Sequence, residues 1–598
     1  MITIARWIIR ENDANINLMA QTLDISPILC EVLANRGIRT KHAAIKYLNP
    51  QPGYMHDAAA MQGIGRAAEI VFDAIAEGKR FCIYGDYDVD GISATVILHK
   101  ALTALGGRAD YYIPHREREG YGLNIPAIEK IAETADVIIT VDNGIASLDE
   151  TARAKALGLA VIIIDHHQPP YAEDAFGTQV EELPPADAII NPKQAACGYP
   201  FKEMCAAALA YKFAEYLHKI AERPYVGREE AVIFAAIASF CDVVDLVDEN
   251  RIIAATGLSL LNRGAIANTG LNALVLARNL TYNKIGAFDI GFVIGPCINA
   301  SGRLDSAMLG VELFVCQDDA KAAELADKLV QLNDERKDMC ALFVEKTIEG
   351  LSGKTQQLDK VLVLYEPDIH ESIAGIVAGR VKDALNRPTI VLSKASGMDG
   401  DVAKGSARSI EHYNIFEEMQ KCKDLFVRFG GHKMAAGVSL AAENIDVLRE
   451  RLNTACALTD DDFVPNIYID KVLTLEDVTF ELAQSLDLLA PFGKENKQPL
   501  FATYGIHTES AEIIGQSGAT MRLGFRLASG RRLRAVAFKS VDKFAAMLAE
   551  SYSDEVCQNF LHGRIRNMTV KMDIAYHVEI NEYNGNSSLQ LRIVDFVL

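Results

Sequence analysis

The sequence of 598 residues has no Cys-x-x-Cys pair, no membrane-length apolar run and no excess of positive charge. Its 11 cysteines are odd in number and scattered, which argues against a disulfide framework and a zinc site and indicates a reducing interior. Lys and Arg number 60 and Asp and Glu 80, and the resulting net charge of −20 argues against a protein that coats nucleic acid. An enzyme with one local basic surface is compatible with this charge.

The longest nearly apolar stretch, residues 231–240, is too short for a membrane span and predicts buried core. The first ten residues lack the apolar segment and the small-residue cleavage site of a secretory signal. Hydrophobic residues make up 49% and charged residues 23% of the chain, as in folded proteins, and there is no internal repeat. We therefore expect a multidomain cytoplasmic protein.

Three short apolar segments each end at an acidic residue and precede or follow a helical pattern. They are residues 81–84, which run into Gly85 and Asp86, residues 137–141 before Asp142, and residues 161–164 before Asp165. Apolar strands that alternate with helices indicate a buried parallel sheet. In such sheets ligands bind outside the carboxyl ends of the strands, which is where these acidic residues stand.

The second half of the chain changes character twice. A proline-free helical pattern over residues 310–351 predicts a long helix that connects two domains. A second α/β pattern follows, with strands expected at residues 360–365 and 388–392 and a glycine-rich segment that ends at Gly437. From about residue 466 short strands separated by turn signals predict an all-β region.

The motif Asp86-x-Asp88-x-Asp90-Gly91 is the sharpest chemical feature. Two like charges 4 Å apart repel by about 4 kcal/mol at an effective dielectric of about 20, so three such carboxylates either keep protons or bind metal. A calcium-binding EF-hand loop shares this opening but needs a glutamate at its twelfth position, where this chain has Ile97. A solvated acidic turn is the simplest alternative to a metal site.

Three further places in the sequence offer ligands of the same kind. Asp142, taken alone, is typical of a turn or a helix cap, and Asp242 is unremarkable after its apolar helix. Adjacent imidazoles in Asp165-His166-His167 favour metal binding or proton transfer, although a lone histidine pair is often structural. Together the four sites suit two Mn²⁺ or Mg²⁺ ions, which activate water and stabilise a leaving oxygen in phosphoester hydrolysis.

Residues 521–540 contain six basic residues and no acid, in a chain that is otherwise acidic. Alternation over residues 521–527 places basic and apolar side chains on opposite faces of a strand. With Phe525 and Phe538 nearby, this pattern suits an OB-like barrel that binds single-stranded nucleic acid; a solvated basic hairpin is the alternative. The DNA-binding residues expected here are Arg522, Arg526, Arg531 and Arg532.

The ordered set of acidic and histidine motifs resembles the DHH phosphoesterase superfamily. Residues 295–304, 370–377, 405–409 and 430–437 narrow the resemblance to the bacterial exonucleases that degrade single-stranded DNA from a 5′ end. The similarity spans nearly the whole chain. It implies an α/β multidomain protein with these parts: an N-terminal segment (1–60), a parallel-sheet DHH catalytic domain (61–305), a connecting helix (306–355), a smaller α/β DHHA1 domain (356–457) and an OB-like β-barrel (458–598).

The resemblance also implies roles for individual residues. Asp88, Asp90, Asp142, His166 and Asp242 would bind the two metal ions, with Asp142 bridging them and Asp86 as a supporting ligand. Catalysis would involve Asp142 and His167, the latter facing the substrate phosphate or the leaving oxygen. Phosphate contacts would come from two sets of residues. These are Asn299 and Arg303, and Ser406, Arg408, Gly430, Gly431 and His432.

Some positions depart from the pattern of this superfamily. Tyr84 stands where pyrophosphatase-type relatives have a metal-binding histidine, which disfavours a pyrophosphatase. Cys297 replaces a usual Arg and makes one phosphate contact doubtful, Asp245 replaces a usual proline, and residues 494–497 replace a Gly-Asn-Pro turn. None of these changes removes an expected metal ligand.

The resemblance predicts an exonuclease that releases 5′-mononucleotides from single-stranded DNA in recombination and repair, and the strand polarity comes from the family alone. An alternative is a phosphodiesterase for short oligoribonucleotides or cyclic dinucleotides, although those relatives look smaller and lack the basic β region. A third hypothesis, a non-catalytic replication scaffold, fits poorly because all the acids and both histidines are present. We expect a monomer whose partners are a single-strand-binding protein and a RecQ-type helicase.

Overall fold

A computed structural model describes residues 5–173, 178–264, 268–352, 358–395, 401–565, 568–583 and 585–598. Contacts divide the chain into two units, one formed by Pro50–Thr459 and the other by Met1–Asn49 together with Asp460–Leu598. The N-terminal segment therefore folds with the C-terminal region. Among the described residues, no single helix is long and apolar enough to cross a membrane.

The first part of the Pro50–Thr459 unit is built on a five-stranded parallel sheet, as predicted. In spatial order its strands are Arg108–Tyr112, Arg80–Gly85, Val137–Val141, Ala160–Ile164 and Ala188–Ile190. Gly85 pairs with Val141 and Val141 with Ile164, so the three central strands end level with one another. The residues that follow these strands, Asp86, Asp142 and Asp165, therefore meet at one edge of the sheet.

Helices cover this sheet because its central strands are apolar on both faces. Val137–Val141 is wholly buried. Of residues 231–240, which were expected to be core, 231–239 are buried in the helix Arg228–Cys241 and Phe240 is half-buried. That helix and Ala206–Ile220 both pack on Val89–Ala104. The other α-helices of this part are Ile64–Ala76, Ile125–Ala132, Leu148–Ala156, Asp248–Asn262, Thr269–Ala277, Ala287–Asp289 and Gly295–Leu304.

The helix expected over residues 310–351 is two helices, Met308–Val315 and Asp319–Ser352. The backbone of Cys316 is extended, and the carboxylate of Asp318 accepts a hydrogen bond from the backbone N–H of Lys321 at 2.7 Å. Asp318 thus caps the start of a second helix, and such a cap stabilises a new helix N-terminus at this position. The absence of proline therefore did not predict correctly that the helix is continuous. The second helix is nevertheless 34 residues long.

The smaller α/β part contains a five-stranded mixed sheet. Its strands, in spatial order, are Phe426–His432, Ala435–Ala441, Val402–Arg408, Thr389–Lys394 and Leu362–Tyr365. Only the last two are parallel, and they flank the crossover helix Ala374–Leu385, which packs against the sheet. The remaining helices are Ile415–Gln420 and Ile445–Thr454.

The other unit contains a closed five-stranded barrel, as expected of an OB-like domain. Its strands, in spatial order, are Phe501–Ile514, Thr520–Arg526, Arg532–Ala537, Asn586–Val597 and Val570–Tyr583, and the first also pairs with the last. One short strand, Lys471–Val472, pairs in parallel with the first barrel strand. Two others, Asn466–Ile469 and Arg6–Ile9, form a separate two-stranded parallel sheet.

This region is not all-β as the sequence suggested. Helices Phe480–Asp487, Val541–Ala549 and Asp554–Leu561 lie among the strands, and Phe544 and Phe560 are buried in the same core as the barrel interior. The N-terminal helices Ile16–Leu23, Pro27–Asn35 and Lys41–Leu48 contribute buried residues to this core as well. These helices add apolar side chains to the core that the barrel strands form, three of which are longer than the sequence suggested, at 14, 14 and 12 residues.

Candidate metal centre

The turn after the strand Arg80–Gly85 places three carboxylates close together. Asp88 is the N-cap of the helix Val89–Ala104, and its side chain accepts hydrogen bonds from the backbone N–H groups of Asp90 and Gly91. A Cβ atom at Gly91 would lie 2.5 Å from the backbone N and O of Asp86, so this close turn requires glycine. Asp86 and Asp90 are both buried, Asp90 in the first turn of the helix.

Asp142 directly follows the strand Val137–Val141 and has a φ of +63°, in the left-handed region that non-glycine residues rarely adopt. Its carboxyl group is buried. Such strained backbone is common where a side chain must point into a functional site. Asp242 arrives from another direction, as the C-cap of the helix Arg228–Cys241.

The acidic residues and His166 form two adjoining sets of potential ligands, and Asp142, His166 and His167 form a third that overlaps both. One of the first two is Asp86, Asp88 and Asp142, the other is Asp90, His166 and Asp242, and within each set one ligand atom per residue lies within 4.8 Å of the others. His166 Nε2 is 3.2 Å from Asp142 Oδ1, and it is 3.8 Å from Oδ2 of both Asp90 and Asp242. Asp142 therefore lies where the two sets meet.

Burial and mutual repulsion raise the pKa values of four of these acids. Burial, then the charge of Asp88, raises the pKa of Asp90 to about 7, and burial with the charges of Asp90 and Asp88 raises that of Asp242 to about 8. The pKa values of Asp86 and Asp142 are also raised, first by burial and then by neighbouring carboxylates. Burial, then the charge of His167, lowers the pKa of His166 to about 3, so its imidazole is neutral and free to bind a cation.

The buried oxygen Oδ1 of Asp86 has no hydrogen-bond partner among the described residues. An unpaired buried carboxylate oxygen is strongly unfavourable, and a divalent cation removes that penalty. Carboxylate oxygens with one imidazole nitrogen are suitable ligands for Mn²⁺ or Mg²⁺. The residues present therefore fit a pair of such ions.

Asp165 does not join the metal ligands, and it holds His167 instead. Its carboxylate accepts hydrogen bonds from the backbone N–H groups of Ile145, His166 and His167 and lies 2.7 Å from His167 Nδ1. Burial alone would lower the pKa of His167, but the bond to Asp165 and the nearby negative charges outweigh it and raise that pKa to about 9. His167 is thus a cationic, half-exposed side chain beside the acids.

Tyr121 is a site residue that the sequence did not indicate. Its hydroxyl donates to the backbone carbonyl of Asp142 at 2.9 Å and lies 3.2 Å from His167 Nδ1. The residue stands in the loop between the strand Arg108–Tyr112 and the helix Ile125–Ala132, with no motif to distinguish it. A tyrosine in a loop that follows a parallel strand was the only available signal.

The expected phosphate ligands on the helix Gly295–Leu304 lie beside this centre. Asn299 Oδ1 accepts a hydrogen bond from the backbone N–H of Val89 at 3.1 Å and so supports the start of the Asp88–Asp90 turn. Arg303 donates a hydrogen bond to the backbone carbonyl of Ser372 at 2.6 Å. This bond joins the part built on the parallel sheet to the smaller α/β part of the same unit. Burial and the charges of Arg116 and Arg336 lower the pKa of Arg303 to about 10.

Ser406 and Arg408 project from the same face of the strand Val402–Arg408. A Cβ atom on Gly375, in the first turn of the helix Ala374–Leu385, would lie 3.0 Å from Arg408 Nη2 and 3.2 Å from Ser406 Oγ. The other residues expected here, Gly430, Gly431 and His432, lie on an exposed β-hairpin, with Gly430 paired to Gly437. Gly437 in turn pairs with Ser406, so Gly430 and Ser406 lie in one row across the sheet.

Tyr84 and Cys297, the two residues near the site that differ from the superfamily pattern, are both packed in the protein interior. Tyr84 is buried, and its hydroxyl donates to the backbone carbonyl of Gly122 at 3.0 Å. The thiol of Cys297 is also buried and accepts a hydrogen bond from the side chain of Asn333 at 3.4 Å. Neither residue offers a ligand to the centre.

In the barrel, the predicted alternation is present. Arg522, Arg526, Arg532 and Arg534 are exposed, whereas Phe525 is buried in the barrel core and cannot stack on a base. Arg522 forms an ion pair with Glu512, and Arg526 with Glu509. Arg531 donates to the backbone carbonyls of Val478 and Leu475, so it ties the barrel to a neighbouring segment.

Three regions of the chain match known protein families. Residues 80–237 match the DHH family, N-terminal domain; residues 358–458 match the DHHA1 domain; and residues 469–595 match the RecJ OB domain. The first of these regions contains the sheet and every potential metal ligand except Asp242.

Similar proteins cover almost the whole chain. Single-stranded-DNA-specific exonuclease RecJ of Bacillus subtilis (strain 168) is 35% identical over 99% of this chain and 70% of its own length. The protein of that name from Haemophilus influenzae is 32% identical over 94% of this chain and 96% of its own length. The crystal structure of RecJ in complex with Mn²⁺ from Thermus thermophilus superposes with a TM-score of 0.79 at 25% identity, covering 99% of this chain and 79% of that one.

Proposed function

Because the chain belongs to the RecJ family, whose named members are exonucleases specific for single-stranded DNA, we propose that it hydrolyses single-stranded DNA from a 5′ end and releases 5′-mononucleotides. The observation that carries this proposal is the convergence of five acids and His166 from four separate segments at one sheet edge. Such a site can bind two divalent ions and serve phosphodiester hydrolysis. DNA recombination and repair are the processes in which this activity would act.

The metal ligands we propose are Asp88, Asp90, Asp142, His166 and Asp242, with Asp86 as a supporting ligand and Asp142 shared between two ions. Bound Mn²⁺ or Mg²⁺ would activate the attacking water and stabilise negative charge on the phosphate and on the leaving oxygen. The two backbone N–H groups of Ala206 and Ala207, each 2.7 Å from a carboxylate oxygen of Asp90, orient that ligand. Tyr121 supports Asp142 through the backbone, because its hydroxyl donates to the carbonyl of that residue.

His167 is positioned to handle charge and protons in the reaction. Asp165 keeps it oriented and protonated, so the imidazolium can stabilise the phosphate charge or donate a proton to the leaving oxygen. This division of labour between two adjacent histidines follows from their environments, because His166 is neutral and His167 is cationic. The pairing of opposite pKa shifts supports separate roles as ligand and as acid.

Strand binding would involve two further groups of residues. Ser406 and Arg408, with the hairpin glycines Gly430 and Gly431 and His432, would bind the 5′-terminal phosphate. Asn299 and Arg303 would add contacts from the helix Gly295–Leu304. In the barrel, Arg522, Arg526, Arg531 and Arg532 would hold the remainder of the strand. The basic barrel strands Thr520–Arg526 and Arg532–Ala537 favour long strands over the short oligoribonucleotides or cyclic dinucleotides of the alternative phosphodiesterase.

We further propose that the protein acts as a cytoplasmic monomer. A single-strand-binding protein and a RecQ-type helicase would supply its substrate, because an exonuclease of this type needs unpaired DNA. These partners follow from the family resemblance, and no surface described above is assigned to them.

Digestion of 5′- and 3′-labelled single strands tests the reaction and its direction. With Mn²⁺ or Mg²⁺ we expect a labelled mononucleotide at once from the 5′-labelled strand and only late from the 3′-labelled strand, and no product with chelator. Asp142→Asn should reduce hydrolysis at least about 1,000-fold while strand affinity is retained, since this change disturbs both metal positions. Asp149→Asn, a change in the next helix, is the matched control; equal cleavage by Asp142→Asn would refute the metal assignment.

A further inference from the structure

Phe288 and Phe292 form an exposed pair of stacked rings in the Pro50–Thr459 unit. Their ring centroids are 5.0 Å apart, the ring planes are inclined by 21°, and the residues remain 68% and 67% exposed. In the described part of the chain no aromatic residue is more exposed. Folding alone gives no reason to place two adjacent large apolar rings in water, so the pair indicates a binding surface.

The backbone holds this pair in a defined position. The helix Ala287–Asp289 continues as a single π-helical turn, Ile290–Ile294, and then as the helix Gly295–Leu304. Phe292 lies in the π-helical turn. Such turns are rare in proteins overall, and those that occur are often at functional sites. The same continuous helical segment carries Asn299 and Arg303.

The π-helical turn packs against the end of the helix that supplies Asp242. The thiol of Cys241 donates to the backbone carbonyl of Ile290 at 3.8 Å, and a Cβ atom on Gly295 would lie 2.3 Å from that sulfur. Glycine at 295 is thus required for this close approach. Val243, on the other side of Asp242, is also an exposed apolar residue with a positive φ of 56°.

We propose that Phe288 and Phe292 form a platform on which bases of single-stranded DNA stack beside the metal centre. This inference rests on the function proposed above and deepens it. Unpaired bases expose flat π-faces, and stacking on aromatic rings binds them with little regard to sequence. Two nearly parallel rings extend such a stack, and their attachment to the Asp242 and Arg303 elements places the bases near the groups that bind phosphate.

The test measures affinity of the full chain for fluorescein-labelled oligothymidylate in chelator, which prevents cleavage. Replacing both residues, Phe288→Ala with Phe292→Ala, should weaken binding about tenfold, at the lower end of the effect of removing stacked rings. A strand of equal length with a run of abasic sites should bind the double variant and the unaltered protein equally. Leu276→Ala, which changes a residue that is also 67% exposed but has no ring, should have no effect.

Substitutions at one position separate stacking from simple apolar contact. Phe292→Trp should keep or improve the affinity of the unaltered protein. Phe292→Leu should lower it, although leucine is apolar and of similar bulk. Thermal unfolding of each variant reports whether the fold is retained, and the Trp variant keeps the test decisive if an Ala variant unfolds.

Three results would overturn the platform: unchanged affinity of the double variant, an equal loss on the abasic strand, or retained affinity in Phe292→Leu. A change in oligomeric state on gel filtration of the double variant would also overturn it and would identify a contact between copies of the chain. Failure of the proposed function looks different, since the unaltered protein would then leave labelled single strands intact.

Discussion

The charged side chains of the metal centre and those of the basic barrel strands differ in burial and in ion pairing. Within the described residues, the five acids of the centre have no ion pair with Lys or Arg, and burial raises the pKa values of four of them. On the barrel, Arg522 and Arg526 are exposed and each pairs with a glutamate. Buried charge without a partner is strongly unfavourable, whereas an exposed ion pair contributes about 0–1 kcal/mol.

This difference suits two different tasks. A centre whose charges are uncompensated has a strong need for cations, so metal binding both completes the site and stabilises the fold around it. Arg522 and Arg526, which we propose as strand contacts, have charges that glutamates partly offset, so they would bind phosphates weakly enough for the strand to move. The predictions below test each side of this contrast.

Among changes that leave the proposed metal ligands in place, the largest effect is expected at His167. His167→Ala should reduce kcat about 100-fold or more, because a positioned acid contributes a factor of that order. The active form is the protonated one, so the rate should fall as pH rises through the His167 pKa, which is about 9 without metal. Asp165→Asn removes the carboxylate that raises this pKa, and the falling limb of the pH–rate profile should then move to lower pH.

His42→Ala, a change of an exposed histidine on the helix Lys41–Leu48, is the control for this series. The measurement is hydrolysis of labelled strand from pH 6 to pH 10 at saturating Mn²⁺. A falling limb that stays in place in Asp165→Asn would contradict the role given to Asp165.

An intermediate effect is expected on the barrel. Changing Arg532 and Arg534 together to Gln should lower affinity for long single strands about tenfold and reduce the salt dependence of binding by about two phosphate contacts. Changing Arg522 and Arg526 together should have a smaller effect, because Glu512 and Glu509 already offset their charge. Fluorescence anisotropy from 50 to 300 mM salt measures both; equal losses in the two double variants would show that these ion pairs do not matter.

The smallest effect is expected on stability without metal. Asp242 has a pKa of about 8 in the folded protein, well above the ordinary value, so the folded state holds its proton more tightly than the unfolded state does. Stability in chelator should therefore fall as pH rises from about 4 to about 8. Asp242→Asn cannot ionise, and its melting temperature should exceed that of the unaltered protein by about 2 °C at pH 9.

The difference in melting temperature should disappear near pH 3, below the ordinary pKa of an aspartate, where the carboxyl group is protonated in both the folded and the unfolded state. Addition of Mn²⁺ should reverse the order at pH 9, because the variant lacks one ligand. Glu324→Gln, a change at an exposed position of the long helix, should show neither behaviour. A variant no more stable than the unaltered protein at pH 9 would mean that ionised Asp242 does not destabilise the folded state.

Much of the centre could be anticipated from the sequence, because its ligands follow apolar strands in short motifs. Asp86 and Asp142 stand directly after buried strands, and His166 stands two residues after one. The order of such strands in a parallel sheet is restricted, and the structure brings these potential ligands to one edge. Tyr121 could not be anticipated, since its loop has no motif and its contacts depend on the course of that loop. The end of the helix at Cys316 was missed because a single cap at Asp318 competed with an otherwise continuous helical pattern.

Local patterns in the chain thus determined which segments become buried strands, where acidic ligands stand and that one barrel strand is basic on one face, since these properties depend on neighbours in sequence. Contacts between distant segments decided the rest. The pairing of Arg6–Ile9 with Asn466–Ile469, the burial of Phe525 and the ion pairs of the barrel arginines all depend on residues that meet only after folding. The opposite protonation of His166 and His167 has the same origin, because burial and nearby carboxylates, rather than residue type, set each pKa.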